Sequence, residues 1–152
     1  MVIKRLTVGN YKNIATTTLD LTRMIALVSA NNYGKSNLLE AIRFGFDFIS
    51  CSPKMRQKRM HWTRGIPLSP ILAGKEYVFS VEFDDPDLKD YRFVKYGFKF
   101  AWYNDQNDGA RIIDETLEIR PTESVKYTSF LKRTDGKYRP AKSITGWRKL
   151  AL

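Results

Sequence analysis

With 152 residues, 43% hydrophobic and 13% aromatic, the chain is one domain with enough apolar material for a packed core, which excludes a disordered segment. Its 26 Lys and Arg against 16 Asp and Glu give a formal charge of +10, which points to an anionic partner unless the chain is one lobe of a larger molecule with a different balance. A single cysteine, Cys51, excludes an internal disulfide and a Cys-based zinc site and suits a reducing cytoplasm, while no apolar run reaches membrane-spanning length and Met1-Val-Ile-Lys-Arg reads as the start of a strand, not a signal peptide.

Val2–Val8 and Thr16–Leu21 alternate as strands, joined by the polar turn Gly9–Asn13. Met24–Val28 is continuously apolar, the pattern of a strand buried on both faces. A loop then ends in Gly34-Lys35-Ser36, and a helix is predicted at once. From Lys35, the residues Leu38, Ile42, Phe46 and Ile49 mark one helical face. Leu39, Ala41, Phe44 and Phe48 lie off that stripe, so the helix should be covered on more than one side.

Strand, loop and helix in this order suit a phosphate-binding loop. Backbone N–H groups and a helix N-terminus would face the anion, Lys35 would reach the β- and γ-phosphates, and the Ser36 hydroxyl would hold Mg²⁺. The pattern G-x-x-x-x-G-K-[ST] would begin at position 29, which is Ser29. Serine lacks the backbone freedom of glycine there, whereas Asn31 and Asn32 tolerate left-handed geometry well. The candidate cradle for ATP is therefore Ser29, Asn31, Asn32, Tyr33, Gly34, Lys35, Ser36 and Asn37. The plain alternative is a strand–loop–helix whose lysine is merely solvated.

Ser50–Gly74 contains Pro53, Pro67 and Pro70 and a basic cluster of Lys54, Arg56, Lys58, Arg59 and Arg64 around Trp62. It reads as a long surface loop. Arg56, Lys58, Arg59 and Arg64 would contact nucleic-acid phosphates, with Trp62 as a stacking platform. The blander reading, which we favour, is a solvated loop packing Met60 and Trp62 onto the sheet or a further part of the protein. His61, the single histidine, reads as a surface residue rather than a ligand.

Tyr77–Phe83, Arg92–Tyr103, Ile112–Ile119 and Val125–Lys132 read as four antiparallel strands, with turn signals at Asn104–Gly109 and Thr134–Lys137. Val94, Tyr96, Phe98, Phe100 and Trp102 share one face at period two, which reads as core rather than a base-stacking surface. Asp84 and Asp85 end an apolar strand, but that strand alternates, whereas a central-sheet strand carrying catalytic acids should be continuously apolar. Asp114, Glu115 and Glu118 read as a solvated strand face.

Ile3-Lys-Arg-Leu-Thr-Val-Gly-Asn-Tyr-Lys-Asn-Ile14, then Leu19-Asp-Leu21, then Ala30-Asn-Asn-Tyr-Gly-Lys-Ser-Asn-Leu-Leu-Glu-Ala-Ile42, resembles the amino-terminal lobe of ABC-type ATPases. The nearest likeness is to the RecF, SMC and overcoming-lysogenization-defect (OLD) group, which includes AAA-type ATPases of antiphage systems. The resemblance is detailed over residues 1–49 and looser beyond. It implies an α/β P-loop NTPase lobe: a mixed central sheet, one main helix and an antiparallel β arm. The strand pair, phosphate loop and first helix would occupy 1–49, a basic Pro-containing loop 50–75, the arm 76–145, and the start of a helical region 146–152. It also implies that Lys12 and Asn13 border the nucleotide.

No acidic Walker B strand, L-S-G-G-Q-like signature or switch histidine is legible. The complementary half is expected on another polypeptide or on a longer form of this one. The expected function is the ATP-binding part of an ATPase that acts with a second ATPase lobe or homodimer. It would serve nucleic acid or a nuclease effector, in antiphage defence or DNA repair, and not at a membrane. The competing expectation is a basic nucleic-acid-binding module with a degenerate loop and no ATP chemistry.

Overall fold

A computed structural model describes residues 1–28, 34–61, 69–103, 111–135 and 137–140. Seven strands form one sheet in the order β2-β1-β3-β4-β5-β6-β7. They are β1 (Val2–Gly9), β2 (Thr17–Asp20), β3 (Tyr77–Asp84), β4 (Phe93–Phe100), β5 (Ile112–Arg120), β6 (Thr128–Thr134) and β7 (Lys137–Pro140). Helices α1 (Lys35–Ser50), α2 (Pro53–Arg59) and α3 (Pro70–Ala73) lie between β2 and β3 in the chain. The fold is α/β, but its sheet departs from the expected one. All six ladders are antiparallel, and the one parallel pairing among the described residues is an isolated bridge, His61 to Tyr103. The amino-terminal strand pair and the β arm are also continuous, because β1 pairs directly with β3 from Val2↔Asp84 to Gly9↔Val78.

One sheet face carries the core. Leu6 and Val8 of β1, Tyr77, Phe79 and Val81 of β3, Phe98 and Phe100 of β4, and Trp102 are buried beneath α1, as the aromatic stripe predicts. The helix contributes Ala41, Phe44, Gly45 and Phe48, the i, i+3, i+4, i+7 set of one face. This is not the stripe read from the sequence. Leu38, Ile42 and Ile49 pack only partly, Phe46 is 36% exposed and Leu39 57%. Aromatic bulk and a glycine decide the orientation. The Phe48 ring stacks on Phe98 and Phe100 at 4.8 and 5.1 Å, and Gly45 lets the helix approach Phe79. The Tyr77 hydroxyl donates to Ala41 O at 2.9 Å, and burial raises its pKa well above the ordinary value.

The opposite face is polar. Lys95 lies between Glu82 and Glu118 at 3.6 and 4.0 Å. Glu115 corrects the reading of a wholly solvated acidic face. It pairs in register with core residue Phe98, so it points inward, is 8% exposed, accepts from the Tyr96 hydroxyl at 2.6 Å and lies 3.5 Å from Arg133. Asp84 is buried and joined to Arg92 at 2.5 and 2.8 Å, while Asp85 caps a 3₁₀ turn, Pro86–Tyr91. Both aspartates have structural employment at the sheet's end.

Two further expectations change. Met24–Val28 is not in a strand; Met24 is 87% and Val28 91% exposed. A strand needs hydrogen-bonded neighbours and, when wholly apolar, cover on both faces, and among the described residues none pairs with this segment. The predicted long loop instead contains α2 and α3. Ser52 caps α2, accepting from Met55 N, and Pro53 follows it at the helix start, a strong initiation signal. Met60 and His61 are buried. Tyr103 N donates to Met60 O at 3.1 Å and the His61 and Tyr103 rings meet edge-on at 4.8 Å, so His61 is no surface residue. Trp62 and Arg64, the 104–109 turn signal, Gly136 and residues 141–152 lie outside the described residues.

Candidate functional site

The N-terminus of α1 is built unlike an ordinary helix start. Its N-cap is Gly34, in the left-handed region at φ 99° and ψ 11°, with no side-chain cap and no acidic residue in the first turn. The first N–H groups of a helix have no intrahelical partners and carry the positive end of its dipole. A capping Ser or Asp, or a first-turn Glu, ordinarily answers both. Here lysine follows the cap instead. Such an end suits an anion.

Glycine at position 34 has two reasons. Its φ disfavours any side chain, and a Cβ would lie 3.1 Å from Ile14 Cδ1 and 3.2 Å from Asn13 Nδ2. Those atoms belong to the β1–β2 turn, which closes on the helix end. The turn is tight. Asn10 and Lys12 adopt left-handed φ of 57° and 52°, and Tyr11 and Ile14 bridge through bonds of 3.2 and 2.8 Å. It is anchored below by Tyr11, buried against Phe44 at 5.3 Å and Trp102 at 6.3 Å. Trp102 Nε1 donates to Asn10 O at 3.0 Å, and Asn10 Nδ2 donates to Glu76 O at 2.6 Å. Ser69 N, at the start of α3, donates to Lys12 O at 3.0 Å.

With the turn fixed, its next two residues reach α1. Asn37 Nδ2 donates to Asn13 Oδ1 at 2.7 Å, and Lys12 Nζ forms an ion pair with Glu40. The structure thus brings together Lys12, Asn13, Gly34, Lys35 and Asn37, with Ser36 exposed on the same first turn. Ser29, Asn31, Asn32 and Tyr33 lie outside the described residues. Glu40 was not among the sequence candidates. Its signal was positional: it follows Ser36 by four residues, one turn along the same face.

Beside this end is a cleft of about 190 Å³, lined by Ile14, Thr17, Leu27, Val28, Gly34, Lys35 and Leu38. Pockets that enclose a small molecule usually hold roughly 300–1,000 Å³, so this is a small, open cleft with a cationic end and an apolar wall.

The proposed nucleic-acid contacts separate. Arg56 donates to Phe48 O and Ile49 O at 3.0 and 2.6 Å, satisfying carbonyls at the end of α1. Arg59 lies 3.6 Å from Asp47 and over the Phe44 ring. Both are turned inward, whereas Lys54 and Lys58 are exposed. No group of three or more His, Cys, Asp or Glu side chains that could hold a metal ion occurs among the described residues, and no helix among them is long and apolar enough to cross a membrane.

A family model described as the AAA ATPase domain matches residues 1–139. No curated protein matches the chain.

Proposed function

The chain belongs to the family of AAA ATPase domains, and from that premise we propose that it is the phosphate-gripping lobe of an ABC-type ATPase resembling the RecF, SMC and OLD group. Family membership makes it an ATP-binding domain. The observation that carries the finer reading is the start of α1, where a left-handed glycine, no capping side chain and no first-turn acid precede Lys35 and Ser36. These residues fit a magnesium-bound triphosphate: Lys35 offsets β- and γ-phosphate charge, the Ser36 hydroxyl offers a Mg²⁺ ligand, and the first-turn N–H groups of α1 face the anion.

The test is calorimetric titration of Mg-ATP into the chain and into Lys35→Ala. One charge-assisted contact contributes about 1.5–3 kcal/mol, so the variant should bind roughly ten- to a hundred-fold more weakly with its fold intact. Equal affinity would remove Lys35 from the site.

A complementary lobe is part of the same proposal. The exposed apolar run Met24–Val28 supports it, as does the small, open cleft beside Lys35. Completed, the ATPase would act with nucleic acid or a nuclease effector, in antiphage defence or repair. The +10 charge supports an acidic partner, and it also keeps a second reading alive, a nucleic-acid module without ATP chemistry. Strongly salt-dependent DNA binding that ignores nucleotide favours that second reading.

A further inference from the structure

Resting on the nucleotide-binding reading, we propose that Glu40 is a positioning residue of the site: through its ion pair with Lys12 it holds the β1–β2 turn, and Lys12's charge, against the anion-binding end of α1. Glu40, Asn37 and Ser36 lie within one turn of the helix, where side chains three and four apart are neighbours. Two of the three are tied to consecutive residues of the turn, Asn37 to Asn13 by a hydrogen bond and Glu40 to Lys12 by charge.

Three features separate this pair from an incidental surface contact. Lys12 keeps a left-handed φ of 52°, a conformation that a non-glycine residue holds only where its surroundings impose it. Its ammonium also lies 5.9 Å from the centroid of the buried Tyr11 ring, so the charged end is held from the side of the turn as well. Glu40 supplies the opposing charge. The pair itself is open to solvent, with Lys12 21% and Glu40 50% exposed, so it adds little to global stability. A contact this exposed, which ties a cation of the turn to the helix that begins at Lys35, has its main effect when an anion arrives: the turn and the charge are already in place, and binding need not order them.

The experiment titrates Mg-ATP into the full chain and into Glu40→Ala, Lys12→Ala, the double variant and Glu40→Gln, with Lys35→Ala as control. Glu40→Ala should bind about tenfold more weakly, the loss of one charge-assisted contact, while its melting temperature stays within about 3 °C of the parent, as removal of an exposed pair implies. The double variant should be no weaker than Lys12→Ala alone, because Glu40 acts through Lys12. Glu40→Gln keeps an acceptor for the ammonium and should recover part of the affinity. Parent-like affinity in Glu40→Ala, or additive losses in the double variant, overturns the positioning role and leaves the nucleotide site standing. A parent that does not bind ATP, or a Lys35→Ala variant that binds equally, overturns the site reading and this inference with it.

Discussion

Gly45 of α1 lies against the ring of Phe79 in β3: a Cβ on Gly45 would stand 2.0 Å from Cδ2 and 2.2 Å from Cε2. This contact sets which face of the helix enters the core. Phe79 is 1% exposed and held between Phe98 at 5.5 Å and Phe46 at 5.2 Å, so its ring has no room to retreat. Alanine at 45 would gain roughly 1 kcal/mol in helix propensity and lose more to overpacking. Gly45→Ala should lower stability by about 1–3 kcal/mol, read from the urea midpoint, and Phe79→Leu in that background should restore part of it. An unshifted midpoint would mean that α1 sits farther from β3.

Gly34→Ala tests the helix start without touching Lys35 or Ser36. An alanine at φ 99° is strained by roughly 1–2 kcal/mol, and its methyl would press on Asn13 and Ile14. The strained element is a loop end, so the fold should survive. Mg-ATP affinity should fall at least about tenfold as the loop shifts off its donors; unchanged affinity would show that the loop does not need this backbone geometry.

Arg56 and Lys58 should part company under charge reversal. Arg56→Glu removes two donors from the end of α1 and places a carboxylate beside the helix's negative end, at a cost of about 1.5–3 kcal/mol. Reversing the exposed Lys54 and Lys58 should leave stability within about 0.5 kcal/mol. Any salt-dependent DNA binding by this region should follow the lysine pair. Binding lost only in Arg56→Glu would trace to damaged folding instead.

The Asp84–Arg92 pair gives a pH dependence of definite sign. The guanidinium, hydrogen-bonded to the carboxylate, holds the Asp84 pKa below its ordinary value, against the opposite push of desolvation. A carboxylate with a lowered folded pKa binds fewer protons folded than unfolded, so its stabilisation is complete above the unfolded value of about 3.9. It is lost as pH falls through the lowered folded value. Asp84→Asn should therefore be less stable than the parent at neutral pH, and the gap should close in strong acid. A gap that is constant across an acid titration would leave Asp84 without this linkage.

ATP turnover by the chain alone should stay near background even where binding is measurable. Phosphoryl transfer depends on positioning and charge stabilisation around the whole phosphate, and the proposed function leaves part of that surround to a complementary lobe. Robust phosphate release by the pure chain, absent in Lys35→Ala, would place a catalytic acid within these residues, with Asp84 and Asp85 the first to substitute.

The local order of elements was legible in the residues. Period-two alternation marked β1, β2, β3 and β4, and Gly34-Lys35-Ser36 before an apolar run marked the start of α1, because these signals depend on a few neighbouring residues. The burial of Phe98, Phe100 and Trp102 was legible for the same reason. The inner face of α1 was not. Two apolar stripes compete along that helix, and Phe48 stacked on Phe98 and Phe100, with Gly45 against Phe79, decides between them. Met24–Val28 has the sequence of a buried strand, yet sheet membership depends on neighbours that its own residues cannot supply. The site divides in the same way. Lys35 and Ser36 follow from a short motif, whereas the pairing of Lys12 with Glu40, 28 positions apart, exists only because the turn after β1 is anchored by Tyr11 and Trp102 and closes onto the helix. Sequence fixes the chemistry each residue brings; tertiary packing decides which residues meet, because contact energies act through space and not along the chain.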